Sequence, residues 1–154
     1  MANKETVLAM LASFTPVFEG FRSHPYFCPA GVATIGMGST RYADGTQVRI
    51  VDDPISYEAA MKLMLHEFEH VYVPAVLTLC PVEMTNNQLV ALADFTYNLG
   101  VDALRTSTLR KKVNAGQWSE VPAQLMRWVY AESKELPGLK ARRQAEVKLL
   151  CADN

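Results

Sequence analysis

The chain has 154 residues, of which 49% are hydrophobic and 20% are charged. This composition is typical of globular proteins and excludes the disordered and fibrous classes. The length predicts one compact domain with enough residues to bury a sizeable core. A formal net charge of −1 and a pI near 6.3 give no general electrostatic argument for binding nucleic acid.

The first residues, MANKETVLAMLASF, form an apolar run that is short and is interrupted by Lys4 and Glu5. Such a run neither spans a bilayer nor matches a standard secretory signal. We therefore predict a protein that is made and kept in the cytoplasm, without stable insertion into a membrane. Three widely spaced cysteines, Cys28, Cys80 and Cys151, argue against a disulfide framework and against a zinc ribbon.

Helical signals begin the chain. Asn3 can cap a first helix that ends near Ser13. Thr15 and Pro16 then occupy the N-cap and N1 positions of a short second helix, which would carry Glu19.

β-sheet signals replace the helical pattern between residues 26 and 51. Runs of β-branched and aromatic residues are separated by turn sequences, Pro29-Ala30-Gly31 and Asp44-Gly45. The pattern predicts a small three-stranded antiparallel sheet with strands at residues 26–28, 32–37 and 47–51.

The remainder of the chain is predicted to be helical throughout. Ser56 is a good N-cap for a long helix that reaches about residue 73, and its length suits a link between two lobes. Thr85 and Gln88 form a capping box for the next helix, and Gly100 is a suitable stop. Three further helices are predicted at residues 107–115, 119–131 and 137–151.

Residues that can carry chemistry are concentrated in residues 18–40, FEGFRSHPYFCPAGVATIGMGST. An apolar surrounding would raise the pKa of the Glu19 carboxyl towards that of a useful general acid. Eight residues separate Glu19 from Cys28, five separate Cys28 from Thr34, and the intervening turn would fold Thr34 back beside Cys28. Taken alone, such residues are more often a surface Glu, a buried Cys and a strand Thr.

This combination resembles the phage-type lysozymes or endolysins, glycoside hydrolase family 24, whose site is a Glu, then an Asp or Cys, then a Thr at this spacing. Glu19, Cys28 and Thr34 match that site position for position. The resemblance covers most of the chain, because five further blocks are also similar to the family. They are TIGMGST (34–40), ISYEAA (55–60), NNQLVALADFTYNLG (86–100), STLRKKVNAG (107–116) and LPGLKARRQAE (136–146).

The resemblance implies a lysozyme-like α+β fold in a single domain, residues 1–154. Its parts are an N-terminal lobe (about 15–55), a linking helix (about 56–73) and a helical C-terminal lobe (about 74–154). The implied reaction is hydrolysis of the β-1,4 bond between N-acetylmuramic acid and N-acetylglucosamine in peptidoglycan. Glu19 would protonate the leaving oxygen while Cys28 and Thr34 hold or activate a water, as in an inverting glycosidase. The scheme requires no metal ion or cofactor.

Partners and location also follow from the resemblance. The partner is the peptidoglycan glycan strand, and we predict a monomer that waits in the host cytoplasm until a phage holin gives it access to the wall. In the family an arginine of the last helix pairs with the catalytic Glu, and Arg142 or Arg143 is the counterpart here. The sequence pattern alone places both arginines on a solvated helix face with Lys140 and Lys148.

The strongest competing motif is His66-Glu67-Phe68-Glu69-His70, which matches the zinc-protease signature H-E-x-x-H. A helical wheel places both histidines opposite the apolar face, which favours a solvated surface over a zinc pocket. A zinc-dependent peptidoglycan peptidase is therefore one alternative function. A non-catalytic wall-binding protein is the other, because a thiol stands where a carboxylate is commoner.

Overall fold

The computed structural model describes residues 1–152 and shows a mostly helical protein with two small antiparallel sheets. The predicted mixture of helices with a minor sheet is confirmed. None of the helices in this part of the chain combines the length and the apolar character needed to cross a membrane. The helices are α1 (Lys4–Phe14), α2 (Tyr57–Glu67), α3 (Val73–Leu79), α4 (Asn86–Leu99), α5 (Val101–Arg105), α6 (Thr108–Asn114), α7 (Val121–Leu125) and α8 (Pro137–Cys151), and the strands are β1 (Arg22–Phe27), β2 (Ala33–Gly36), β3 (Tyr130–Ala131) and β4 (Lys134–Glu135).

Helix α1 begins at its predicted cap, because the side chain of Asn3 accepts a hydrogen bond from a backbone N–H in the first turn. The second helix predicted to start at Thr15 is wrong. The chain instead continues from α1 into one 3-10 turn, and the buried Thr15 hydroxyl donates to Asp94 across 2.8 Å. Glu19 therefore follows a turn that is fixed by the buried Thr15, and it does not lie on a helix.

Strands β1 and β2 form the predicted hairpin. Tyr26 pairs with Thr34, and Phe27 pairs with Ala33, next to a turn closed by Gly31 at a φ of 78°. This φ lies in the left-handed region that glycine adopts without a steric cost. The hairpin therefore places the end of β1 beside the start of β2, as the turn sequence predicts.

The third strand of this sheet, predicted at residues 47–51, is wrong. One isolated bridge forms at Gln47, and the chain then turns. The Asp52 carboxylate accepts hydrogen bonds from the backbone N–H of Arg49 at 2.7 Å and from the Tyr42 hydroxyl at 2.8 Å. These two bonds hold the segment as a turn, so a local acceptor replaces the ladder of a third strand.

The long helix predicted from Ser56 begins at that residue, whose side chain accepts from a backbone N–H in the first turn. It continues beyond the predicted end through a π-helical turn at Phe68–Tyr72 and then α3, which ends at Leu79. The π turn stands directly before Pro74, which has no N–H and would crowd a regular preceding turn. The wider turn lets the helix accommodate that proline.

Helix α4 is at the centre of the core, where it packs against α1, α3 and α8. Its predicted capping box is confirmed, since Thr85 and Gln88 each bond the other's backbone N–H. It ends at Gly100, which has a φ of 97°. A second, smaller cluster under the hairpin is formed by Ile35, Val48 and Leu63.

The helix predicted at residues 119–131 is wrong. A 3-10 turn and the short α7 occupy its first part, and β3 then pairs with β4. Glu132 and Ser133 both have positive φ, 53° and 64°, as in the two-residue turns that match the twist of a hairpin. Helix α8 follows and begins at the predicted Pro137.

Replacing Thr85 with Ala should lower the free energy of unfolding by about 1 kcal/mol, because the variant loses one arm of the capping box. Urea unfolding followed by circular dichroism measures the change. Thr78→Ala is the matched control, since Thr78 is exposed inside α3 and should be near neutral. Equal losses in the two variants would contradict a specific role for the cap.

Candidate active site

Glu19 directly follows the turn that begins at the buried Thr15. Its backbone N–H donates to the carbonyl of Thr15 at 3.3 Å, and its side chain is 21% exposed. One carboxylate oxygen, Oε1, lies 2.6 Å from Nη1 of Arg142. The expected apolar surrounding of Glu19 is therefore wrong, because a guanidinium lies directly against the carboxyl.

Arg142 and Arg143 are both buried, which corrects the prediction of a solvated helix face. Arg142 contacts Glu19, whereas Arg143 pairs with Glu146 at 2.7 Å and donates to Asn98 at 2.7 Å. The structure thus decides between the two candidates and identifies Arg142 as the partner of Glu19. The prediction from the sequence pattern fails because each arginine has an acceptor in α4 or α8.

Asp94 is the second partner of Arg142. Its Oδ2 accepts from Nε and its Oδ1 from Nη2, both at 2.9 Å. Burial tends to raise the pKa of Asp94, but hydrogen bonds from Glu146, Arg142 and Thr15 outweigh it and hold the pKa below its usual value. The sequence contains one signal for this residue, a lone acid within the apolar segment LVALADF of α4.

The loop after β2 approaches Glu19 at Gly38. A Cβ placed on Gly38 would lie 3.7 Å from Oε2 of Glu19 and 3.8 Å from the hydroxyl of Tyr97. Tyr97 holds the loop by donating a hydrogen bond to the carbonyl of Met37 at 2.6 Å. The loop therefore passes close to the oxygen of Glu19 that Arg142 leaves free.

Cys28 and Thr34 lie together at the turn end of the hairpin. Backbone N–H groups of Val32 and Ala30 lower the pKa of the Cys28 thiol, and the Thr34 hydroxyl adds to this effect. Thr34 also donates to the carbonyl of Val32 at 2.9 Å. The predicted contact between Cys28 and Thr34 is thus present, and the sulfur has more thiolate character than an ordinary cysteine.

Tyr26 connects the hairpin electrostatically with Glu19. Burial raises the pKa of Tyr26, nearby Arg22 opposes the rise, and the charges of Glu19 and Cys28 increase it. Both candidate residues are therefore within electrostatic range of the same phenol. Thr34, the third candidate residue, is buried and pairs with Tyr26 across the hairpin.

The H-E-x-x-H segment is not arranged as a metal site. His70 is exposed and His66 is half-buried, with 4.3 Å between the ring centroids. Glu69 pairs with Lys4 at 3.0 Å, and Glu67 is oriented towards Ser39 on the opposite side. Within residues 1–152, no group of three or more His, Cys, Asp or Glu side chains is placed to hold a metal ion.

Comparison with known proteins identifies the family. Residues 16–146 match the phage lysozyme family, and the chain belongs to that family. An endolysin of Acyrthosiphon pisum secondary endosymbiont phage 1 is 35% identical over 136 residues, which cover 86% of this chain and 88% of the relative.

Two solved structures are also similar. The endolysin from Escherichia coli O157:H7 phage FAHEc1 has a TM-score of 0.77 at 31% identity, covering 95% of this chain and 90% of that one. The muramidase domain of SpmX from Asticaccaulis excentricus has a TM-score of 0.80 at 25% identity, covering 94% and 96%. The predicted lysozyme-like fold is therefore confirmed.

Glu67 should make stability depend on pH, because burial raises its pKa from 4.5 to about 7, while the nearby Ser39 opposes the rise. A pKa raised in the folded state means that protonated Glu67 stabilises the protein in acid, and this contribution is lost as the pH rises through 7. Relative to wild type, Glu67→Gln should gain up to about 3 kcal/mol in unfolding free energy over that range.

Urea unfolding at several pH values between 4 and 8 measures this change. Glu5→Gln serves as the control, because Glu5 is exposed and its replacement should leave the pH dependence of wild type intact. A difference between Glu67→Gln and wild type that does not vary with pH would contradict the prediction.

Proposed function

We propose that this protein is an endolysin that hydrolyses the β-1,4 bond between N-acetylmuramic acid and N-acetylglucosamine in bacterial peptidoglycan. As a member of the phage lysozyme family it is a glycoside hydrolase that acts on peptidoglycan. Similarity to a muramidase domain supports the choice of bond. The observation that carries the proposal is the buried Arg142 that holds Glu19 beside the loop at Gly38.

Glu19 acts as the general acid in this proposal. Arg142 occupies Oε1, so the proton to be donated is carried on Oε2, which faces the loop. Because Gly38 has no side chain, a sugar can approach this oxygen closely. The proton passes to the glycosidic oxygen as its bond to the anomeric carbon breaks.

Cys28 and Thr34 hold the attacking water on the opposite face of the sugar, as in an inverting glycosidase. Thr34 is fixed by its bond to the Val32 carbonyl, which orients its hydroxyl next to the sulfur. The lowered pKa of Cys28 increases the thiolate fraction, and the thiolate takes the proton of the water as its oxygen bonds to the anomeric carbon. The scheme uses no metal ion or cofactor.

The glycan strand binds in a groove between two lobes of one domain. The N-terminal lobe, about residues 15–55, supplies the three proposed catalytic residues, and the C-terminal lobe, from about residue 74, supplies Arg142. The long helix from about residue 56 links the lobes. The contact between Glu19 of the first lobe and Arg142 of the second supports a site at the junction of the two lobes.

Similarity to phage endolysins supports a role in host lysis. We infer that the protein acts as a monomer, remains in the host cytoplasm during phage development and reaches the wall when a holin opens the membrane. The geometry of the His66 and His70 pair gives the peptidase alternative no support.

Glu19→Gln should lower lytic activity by roughly a hundredfold to ten-thousandfold, because the amide keeps the shape of the side chain but has no carboxyl proton to donate. Turbidity of outer-membrane-permeabilised cells measures lysis, and mass spectrometry of the released fragments identifies the bond that is cut.

Glu83→Gln is the control for this loss, because the Glu83 side chain is 80% exposed, and it should retain full activity. Near-normal lysis by Glu19→Gln would show that Glu19 is not the general acid. Complete inactivity of the wild-type protein would favour a wall-binding protein instead, and loss of lysis in chelator with recovery on added zinc would favour a peptidase.

Cys28→Ala should lose much of the activity, whereas Cys28→Asp should keep it, because a carboxylate can also hold the water and take its proton. In the wild type, activity should rise with pH through a thiol titration below the ordinary pKa of cysteine, and alkylation should inactivate the enzyme in step with that titration. Cys28→Ser should lack this titration.

The alkylation experiment requires a Cys151→Ser background, since the exposed Cys151 thiol would also react while Cys80 is buried. Folding is matched by circular dichroism. A fully active Cys28→Ala variant would show that the sulfur contributes packing only, and would leave Glu19 as the sole tested part of the scheme.

A further inference from the structure

Asp94 is a carboxylate in the fully buried face of α4, with 0% of its surface exposed. A charged group in such a position is costly unless its lone pairs are satisfied by donors. Three hydrogen bonds to it have lengths of 2.8 to 2.9 Å. Both carboxylate oxygens are therefore held by directed donors, so the group is fixed in position.

A second acid, Glu146, is buried nearby and lies against Arg143 at 2.7 Å. Burial raises the pKa of Glu146 well above its usual value, against the opposing effect of Arg143. The pKa of Asp94 is instead held below its usual value, and Asp94 is the acid that Arg142 contacts with two nitrogens. The negative charge beside Arg142 therefore resides on Asp94.

One oxygen of Asp94 contacts both of the groups that position Glu19, the guanidinium of Arg142 and the hydroxyl of Thr15. Oδ1 accepts from Nη2 of Arg142 at 2.9 Å and from the Thr15 hydroxyl at 2.8 Å. Thr15 begins the turn before the acid, and its carbonyl accepts the backbone N–H of Glu19. Arg142 contacts the Glu19 side chain. Asp94 is therefore connected both to the backbone and to the carboxyl of Glu19.

The guanidinium is rigid and planar, so its orientation is set once two of its nitrogens are held. Asp94 takes Nε and Nη2 together, and Nη1 then lies at the free edge of the plane, 2.6 Å from Oε1 of Glu19. We propose that Asp94 is a positioning residue for catalysis, which orients Glu19 through Arg142 on one side and through Thr15 on the other. This inference rests on the proposed role of Glu19 as the acid.

The test uses steady-state kinetics of the full chain on solubilised, uncrosslinked peptidoglycan strands. Asp94→Asn replaces one acceptor oxygen with an NH₂ group, which faces an Arg142 donor and releases the guanidinium. We expect kcat to fall about tenfold to a hundredfold with KM little changed, because a small misplacement of a catalytic group costs this much.

A double-mutant cycle separates positioning from general support of the fold. Arg142→Lys cannot bridge Asp94 and Glu19 with a planar fork, so it should reduce kcat by itself. If Asp94 acts through Arg142, the double variant Asp94→Asn with Arg142→Lys should be little slower than the worse single variant. Multiplicative losses would overturn the proposal.

A milder pair of variants covers the case in which Asp94→Asn does not fold. Thr15→Val keeps the shape of the side chain but loses the hydroxyl, and should reduce kcat severalfold. Thr15→Ser keeps the hydroxyl and should have a kcat close to that of wild type. Leu109→Ala, a fully buried change in α6, is the stability control and should leave kcat unchanged where the protein is folded.

The outcomes also distinguish this inference from the proposed function. If Glu19→Gln retains activity, the proposed function fails because Glu19 is not the general acid. The kinetics of Asp94 variants then no longer report on the position of a catalytic acid. If Glu19→Gln is inactive while folded Asp94→Asn or Thr15→Val has the kcat of wild type, Asp94 has a structural role only and this inference alone is overturned.

Discussion

The buried ion pair between Arg142 and Asp94 is the interaction on which the site depends. It joins α8 to α4, and through Thr15 and Glu19 it also joins the N-terminal turn, which is 123 residues away from Arg142 in the sequence. Removing two charges from water is costly, and such a pair persists only when its remaining hydrogen bonds are made. Here they are made by Thr15, which donates to Asp94, and by Glu19, which accepts from Arg142. The contacts that stabilise the buried pair therefore also orient the Glu19 carboxyl.

The hairpin contributes the other half of the site by local chemistry alone. Its turn brings Cys28 within reach of backbone N–H groups and of Thr34, and these contacts, without help from the helices, lower the pKa of the thiol. The next loop approaches Glu19 at Gly38, where a glycine keeps space open beside the carboxyl. Contacts between residues far apart in the sequence thus position Glu19, whereas contacts within the hairpin lower the pKa of Cys28.

This division explains which features could be predicted from the sequence. Helix caps at Asn3, Ser56 and Thr85 and the contact of Cys28 with Thr34 depend on residues close together in the chain, and the structure contains them. The burial of Arg142 and Arg143 depends on acceptors more than forty positions away or on the packing of α8, so the local sequence pattern misplaces them. The missing third strand likewise reflects a side-chain acceptor, Asp52, that competes with the sheet.

The H-E-x-x-H segment shows why spacing alone does not define a site. Two histidines one turn apart do come together, with their rings 4.3 Å apart, yet a zinc site also needs a third ligand and a glutamate on the same side. Glu67 instead lies towards Ser39 and the tyrosines of the core, and Glu69 is paired with Lys4. Arg142 is the opposite case: its sequence block leaves two candidate arginines, but three directed hydrogen bonds from its guanidinium give it a defined role. The surroundings of a side chain, more than its motif, decide which chemistry it can perform.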